Sequence, residues 1–139
     1  MSRPRPAPPS GQPPPARAEL DDGTEVDLAA IAEEVCARYE ASYPDEEERY
    51  GPAGHLWCLH DNRHLLNWAV LDTRSYASIE ENVTWLAKVL EAREFPLDRL
   101  AHDLDIAAEV VALRVPGGAA VAAALTRAAA LVRSRPTFL

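Results

Sequence analysis

Apolar residues recur at helical spacing through most of the chain, and charged or helix-breaking clusters interrupt them. Leu28, Ile31, Val35 and Tyr39, with Ala32 and Cys36 beside them, predict an amphipathic helix over residues 25–43 that Pro44 ends. Residues 44–53, PDEEERYGPA, read as a charged connector closed by Gly51 and Pro52. A second helix spans about Gly54 to Leu71. Its apolar positions Leu56, Leu59, Leu66 and Val70, joined by Trp57, Leu65 and Trp68, go round more than one face, which predicts a central helix touched on several sides.

The segment DTRSYA breaks that pattern, and Ser78 followed by Glu81 forms an S-x-x-E capping box before the next apolar run. Ile79, Val83, Leu86 and Leu90 make the buried stripe of that helix, which ends near Glu94. Pro96 suits a first helical turn, and Leu97, Leu100, Leu104, Ala107 and Val111 carry the next helix up to Pro116, Gly117 and Gly118. The final stretch, GAAVAAALTRAAALVRSR, is rich in the strongest helix former and basic at its end. No segment alternates for long enough to predict a strand.

The fold class expected is therefore all-α: a four- to five-helix bundle over residues 24–135, in up-down order, preceded by a disordered Pro-rich arm over residues 1–23. The arm is assigned on composition, since residues 1–18 hold seven of the twelve prolines and almost no large apolar side chain. It reads as a linker; stretches such as PAPP and PPP also have the form that polyproline-binding domains recognise.

Charge narrows the partners. The chain carries a formal −8, and residues 19–139 hold eleven basic against twenty-two acidic residues, a net −11. A phosphate backbone is repelled by such a domain, so direct nucleic-acid binding is not expected. No apolar run approaches about 18 residues, so no membrane span is expected either. The two cysteines, Cys36 and Cys58, have neither CxxC spacing nor the density of a disulfide scaffold, which points to reduced thiols and a cytoplasmic setting.

Candidate chemistry concentrates in Gly54–Thr73, which holds two of three Trp, three of four His and one of two Cys. Trp57, Asp61, His64 and Trp68 fall at i, i+4, i+7 and i+11, a stripe that sets a carboxylate and an imidazole between two indoles and could line a pocket for a flat ligand. His60 and His64 stand one turn apart, but two histidines without further ligands are more simply polar surface residues, and no metal site is assigned. Cys58 reads as a small apolar side chain, with no orienting group to make it a nucleophile. Asp103, Asp105, Glu80 and Glu81 read as surface charges, so no catalytic residue is assigned and a non-enzymatic protein is expected.

Cys58-x-x-Asp61, then Arg63, Leu66 and Trp68, followed by Tyr76, the Val83-x-Trp85-Leu86 run, Leu90 and Ala92-Arg93, resembles the helical cap that stands ahead of the corrinoid-binding domain in bacterial cobalamin-dependent sensors and regulators. The resemblance covers about Gly54 to Val111. It implies a role in covering or sensing a ligand held by another domain, with Trp57, Asp61, His64 and Trp68 facing it and cobalamin as the candidate ligand. The chain departs from that pattern at Leu65, where a His is expected, and it contains no D-x-H-x-x-G corrinoid loop.

The expected function is a non-enzymatic helical regulatory or adaptor module that docks on a protein partner, with Tyr76 and Trp85 as contact residues. The alternative is a sensor or cap domain for a corrinoid or another tetrapyrrole, with the Trp/His/Asp stripe as its pocket. Self-association through the Ala-rich last helix is left open.

Overall fold

A computed structural model describes residues 13–139. Among the described residues two strands and six helices run in the order β1 (Arg17–Glu19), β2 (Glu25–Asp27), α1 (Leu28–Ser42), α2 (Glu46–Tyr50), α3 (Pro52–Thr73), α4 (Ile79–Ala92), α5 (Leu97–Arg114) and α6 (Ala119–Ser134). The mainly helical fold expected from the periodicity is present, with a sixth helix and a small hairpin that were not expected.

The hairpin corrects the strand-free reading, and it brings residues 17–23, assigned to a disordered arm, onto the bundle. β1 and β2 pair antiparallel with Ala18 opposite Val26. Gly23, at φ 87°, makes the tight return between them and donates its N–H to Leu20 O at 2.9 Å. Leu20 and Val26 are buried, and they fix the hairpin against the helices. Three-residue strands offer one inward position each, too few for an alternation signal. The first twelve residues of the Pro-rich arm lie outside the described residues.

α1 begins where Asp27 accepts the Ala30 N–H at 3.0 Å, and it buries the predicted stripe from Leu28 to Tyr39. The connector after Pro44 contains α2, a single short helix that buries none of its residues. α3 starts with Pro52 in its first turn and touches every other helix as well as β1. The enclosure is one-sided along its length. Buried residues occur only from Asn62 to Val70, and Leu56, expected to be apolar core, is 48% exposed.

Ser78 caps α4 by accepting the Glu81 N–H at 3.2 Å, as the capping box predicted. Pro96 stands just ahead of α5 as its cap residue. α5 and α6 form the most extensive helix pair; Gly118 makes their turn, packed so tightly that an added Cβ would lie 2.9 Å from the Val115 Cβ. Alanines on both helices, among them Ala101, Ala107, Ala124 and Ala128, are fully buried and permit this close approach. The chain end docks as well: Phe138 is buried and donates its N–H to Glu91 at 2.7 Å. Among the described residues no helix is long and apolar enough to cross a membrane.

A buried polar knot between α1, α3 and α5

Three polar or charged residues are buried among the described ones: Asn62, His64 and Asp103. Two belong to α3 and one to α5, and the helix spacing explains why. Asp103 falls three residues after Leu100 and one before Leu104, inside the buried stripe of α5, while Asn62 and His64 begin the enclosed half of α3. Burial of such groups costs free energy unless hydrogen bonds replace those made to water.

Asn62 supplies the link. Its Nδ2 donates to Asp103 Oδ1 at 3.1 Å and to the Cys58 carbonyl, one turn back, at 3.0 Å. The same nitrogen lies 3.5 Å from Cys36 Sγ and 3.4 Å from Cys58 Sγ. Cys36 and Cys58 form a disulfide that joins α1 to α3 with their Cα atoms 6.0 Å apart. This corrects the expectation of reduced thiols. The residues are 22 apart in sequence, and only the packing of α1 on α3 shows them as a pair.

Asp103 was expected on the surface and is not there. Burial pushes its carboxyl up to about 7; the Asn62 hydrogen bond opposes the rise, and the charges of Asp61 and Glu46 add to it. Asp61 is also raised, again chiefly by burial, with its hydrogen bond from His60 working in the other direction.

Along the next face of α3, His60 bonds Asp61 at 3.1 Å, the His60 and His64 rings lie 4.8 Å apart edge to face, and His64 stacks toward Trp68 at 5.7 Å. Of the expected stripe, His64 and Trp68 are in ring contact, and Asp61 is linked to them through its bond to His60. Trp57 is half-buried, and its buried indole Nε1 has no hydrogen-bond partner among the described residues. Arg63 and Arg74 bind the incoming chain rather than this ladder. Arg63 donates to the carbonyls of Pro14 and Pro15 at 2.7 and 3.2 Å, and Arg74 donates to Glu19 O at 2.9 Å. Two arginines three turns apart therefore hold the incoming chain along α3.

On the other side of the knot Arg99 donates to Asp45 at 2.9 Å and to Glu46 at 2.8 Å, and Glu46 accepts the Tyr39 hydroxyl at 2.6 Å. Arg99 also lies over the Tyr43 ring, whose hydroxyl shares a 2.7 Å hydrogen bond with His102. These contacts fasten α2 to α1 and α5, so the acidic connector is a structural clasp. Burial raises the Tyr39 hydroxyl, and its hydrogen bond to Glu46 raises it further.

Of the two residues expected at a partner interface, Tyr76 is 69% exposed after α3 and Trp85 is 42% exposed on α4. No group of three or more His, Cys, Asp or Glu among the described residues is placed to hold a metal ion. A surface groove of about 300 Å³ lies between Glu25, Ile31, Arg114 and Pro116, away from the Trp/His/Asp stripe. Comparison of the chain with protein-family models, with curated proteins and with solved structures finds no match.

Proposed function

We propose that the chain is a helical regulatory or adaptor module that docks a protein partner through Tyr76 and Trp85. The observation that carries this reading is their exposure: Trp57 and Trp68 are partly covered, whereas Tyr76 and Trp85 present aromatic surface to solvent. Aromatic side chains with a polar handle are the residue types that most often anchor protein interfaces. The net −11 of residues 19–139 selects a partner face of opposite sign.

The test is site-specific cross-linking in cells of the source organism. A photoreactive side chain at position 76 or 85 should capture the same basic protein, added salt should weaken the capture, and position 33 on the exposed side of α1 should capture nothing. Different proteins at 76 and 85, or equal capture at 33, would end the proposal.

The sensing alternative rests on a different observation, the His60–His64–Trp68 ladder with Asp61 beside it. A half-buried row of imidazoles and an indole suits the face of a flat conjugated ligand. Titration of the purified protein with cobalamin and with haem, followed by tryptophan emission and visible absorbance, decides it. A response that His64→Ala and Trp68→Ala abolish supports the alternative; no response to either ligand excludes it.

A further inference from the structure

The Cys36–Cys58 bridge stands in surroundings built for more than cross-linking. Cys36 is completely buried on α1, while Cys58 on α3 is partly exposed, so an incoming group meets Cys58 first. Both sulfurs contact the same amide nitrogen of Asn62, and that nitrogen also bonds Asp103. A carboxyl group and both sulfurs of a disulfide thereby share one amide donor inside the core, where a purely structural bridge needs neither partner.

We propose that Cys36–Cys58 is a redox-responsive thiol–disulfide site, opened at Cys58 by a small thiol such as glutathione, with Asn62 and Asp103 managing charge and proton at the buried sulfur. The thiolate of the small thiol attacks Cys58 Sγ, a mixed disulfide forms there, the Sγ–Sγ bond breaks, and Cys36 leaves as a thiolate. The Asn62 amide donates to that anion, and the Asp103 carboxyl gives it a proton. A second small thiol then attacks the outer sulfur of the mixed disulfide. It releases the oxidised small-molecule disulfide and the Cys58 thiolate, which solvent protonates. Two electrons pass to the protein and two small thiols are oxidised.

Protonated Asp103 serves as the donor, and ionised Asp103 repels the charge developing on Cys36. Burial pushes its carboxyl up to about 7, Asn62 of α3 opposes the rise, Asp61 of α3 and Glu46 of α2 add to it, and Tyr39 of α1 is also within electrostatic reach. The opening rate, expressed per thiolate of the attacking reagent, therefore falls severalfold as pH rises through 7. This site is independent of the docking surface at Tyr76 and Trp85.

The full chain is incubated with mixtures of reduced and oxidised glutathione, quenched by alkylation and analysed by mass spectrometry, with circular dichroism followed in parallel. The expected result is reversible opening with helicity retained, a glutathione adduct on Cys58 in Cys36→Ser, and none on Cys36 in Cys58→Ser. Asp103→Asn should remove the pH dependence. Should that variant fail to fold, the wild-type pH profile and the asymmetry between the two serine variants decide the matter. Free thiols in untreated protein, opening only with loss of helicity, equal adducts on both cysteines, or a rate indifferent to pH through 7 would each overturn the proposal.

Discussion

Arg127 on α6 donates to one carboxylate oxygen of Asp72 at 2.8 Å, and the other oxygen of Asp72 accepts the N–H of Ile79 at 3.0 Å. A single side chain at the end of α3 thus satisfies one of the free donors that begin α4 and also ties both helices to α6. The two contacts differ in weight. Arg127 is half-exposed and its ion pairs are solvated, whereas the Ile79 N–H belongs to a residue that is wholly buried. Asp72→Ala should lower the unfolding free energy by about 1–2 kcal/mol and Arg127→Ala by less than about 1 kcal/mol. Urea denaturation of both variants checks the order; an equal or reversed cost would show that the ion pair outweighs the cap.

Gly117 and Gly118 act through different physics at the turn from α5 to α6. Gly117 has φ 72° and its Cβ would approach only the Asp22 carboxylate, so alanine there meets backbone strain of about 1–2 kcal/mol. Gly118 has an ordinary φ, yet its Cβ would lie 2.9 Å from Val115 Cβ and 3.0 Å from Val111 Cγ1. Both valines are buried and cannot move away freely. Gly118→Ala should therefore cost about 1–3 kcal/mol through displacement of α5 against α6. Thermal unfolding measures both costs, and a Gly118→Ala protein as stable as the wild type would contradict the packing described.

The arginine grip on the incoming chain is testable by proteolysis. Arg63 holds the Pro14 and Pro15 carbonyls and Arg74 holds Glu19 O, while Leu20 inserts its side chain into the core just beyond. Arg63→Ala should speed cleavage ahead of Arg17 severalfold with little change in global stability, because the hydrogen bonds lost lie near the surface. Arg63→Ala with Leu20→Ala should release the hairpin and also lower stability by about 2–4 kcal/mol, the cost of truncating a buried leucine. Unchanged cleavage in Arg63→Ala would mean that the hairpin alone fixes this segment.

The helices were legible because their apolar stripes are long. Leu28 to Tyr39 and Leu100 to Val111 repeat over three turns, Ile79 to Leu86 repeats over two, and Ser78 marks its helix start directly. α2 and the hairpin escaped because short elements carry too few inward positions to register a period. In α3 the all-round distribution of apolar residues predicted a covered helix; the first half is less enclosed, and its buried residues begin at Asn62. Spacing along one helix accounts for the His64–Trp68 contact, whereas Asn62, Asp103 and the cysteine pairing arise from contacts between helices distant in sequence. Asp103 did carry a signal, a charged residue inside an apolar stripe, and Cys36 sits on the buried stripe of α1.

Asp103 also gives the fold a pH dependence of defined sign. Its carboxyl rises from an ordinary 3.8 to about 7 because burial penalises the charged form. Between those values the folded protein keeps a proton that the unfolded chain has released. Stability from this group is therefore fully present below about pH 4, declines as pH rises, and is lost above about 7. Asp45 and Glu34 shift the opposite way because arginines hydrogen-bond them, so the total profile mixes both signs. Comparison with Asp103→Asn isolates the buried carboxyl, since the amide has no proton to lose and fills the same space. The stability difference between wild type and variant should move in favour of the variant across this window by on the order of 1 kcal/mol per pH unit. Above pH 8 the two curves should run parallel. Guanidinium denaturation at a series of pH values provides the measurement, and a difference that stays constant from acid to neutral pH would show that Asp103 is ionised throughout.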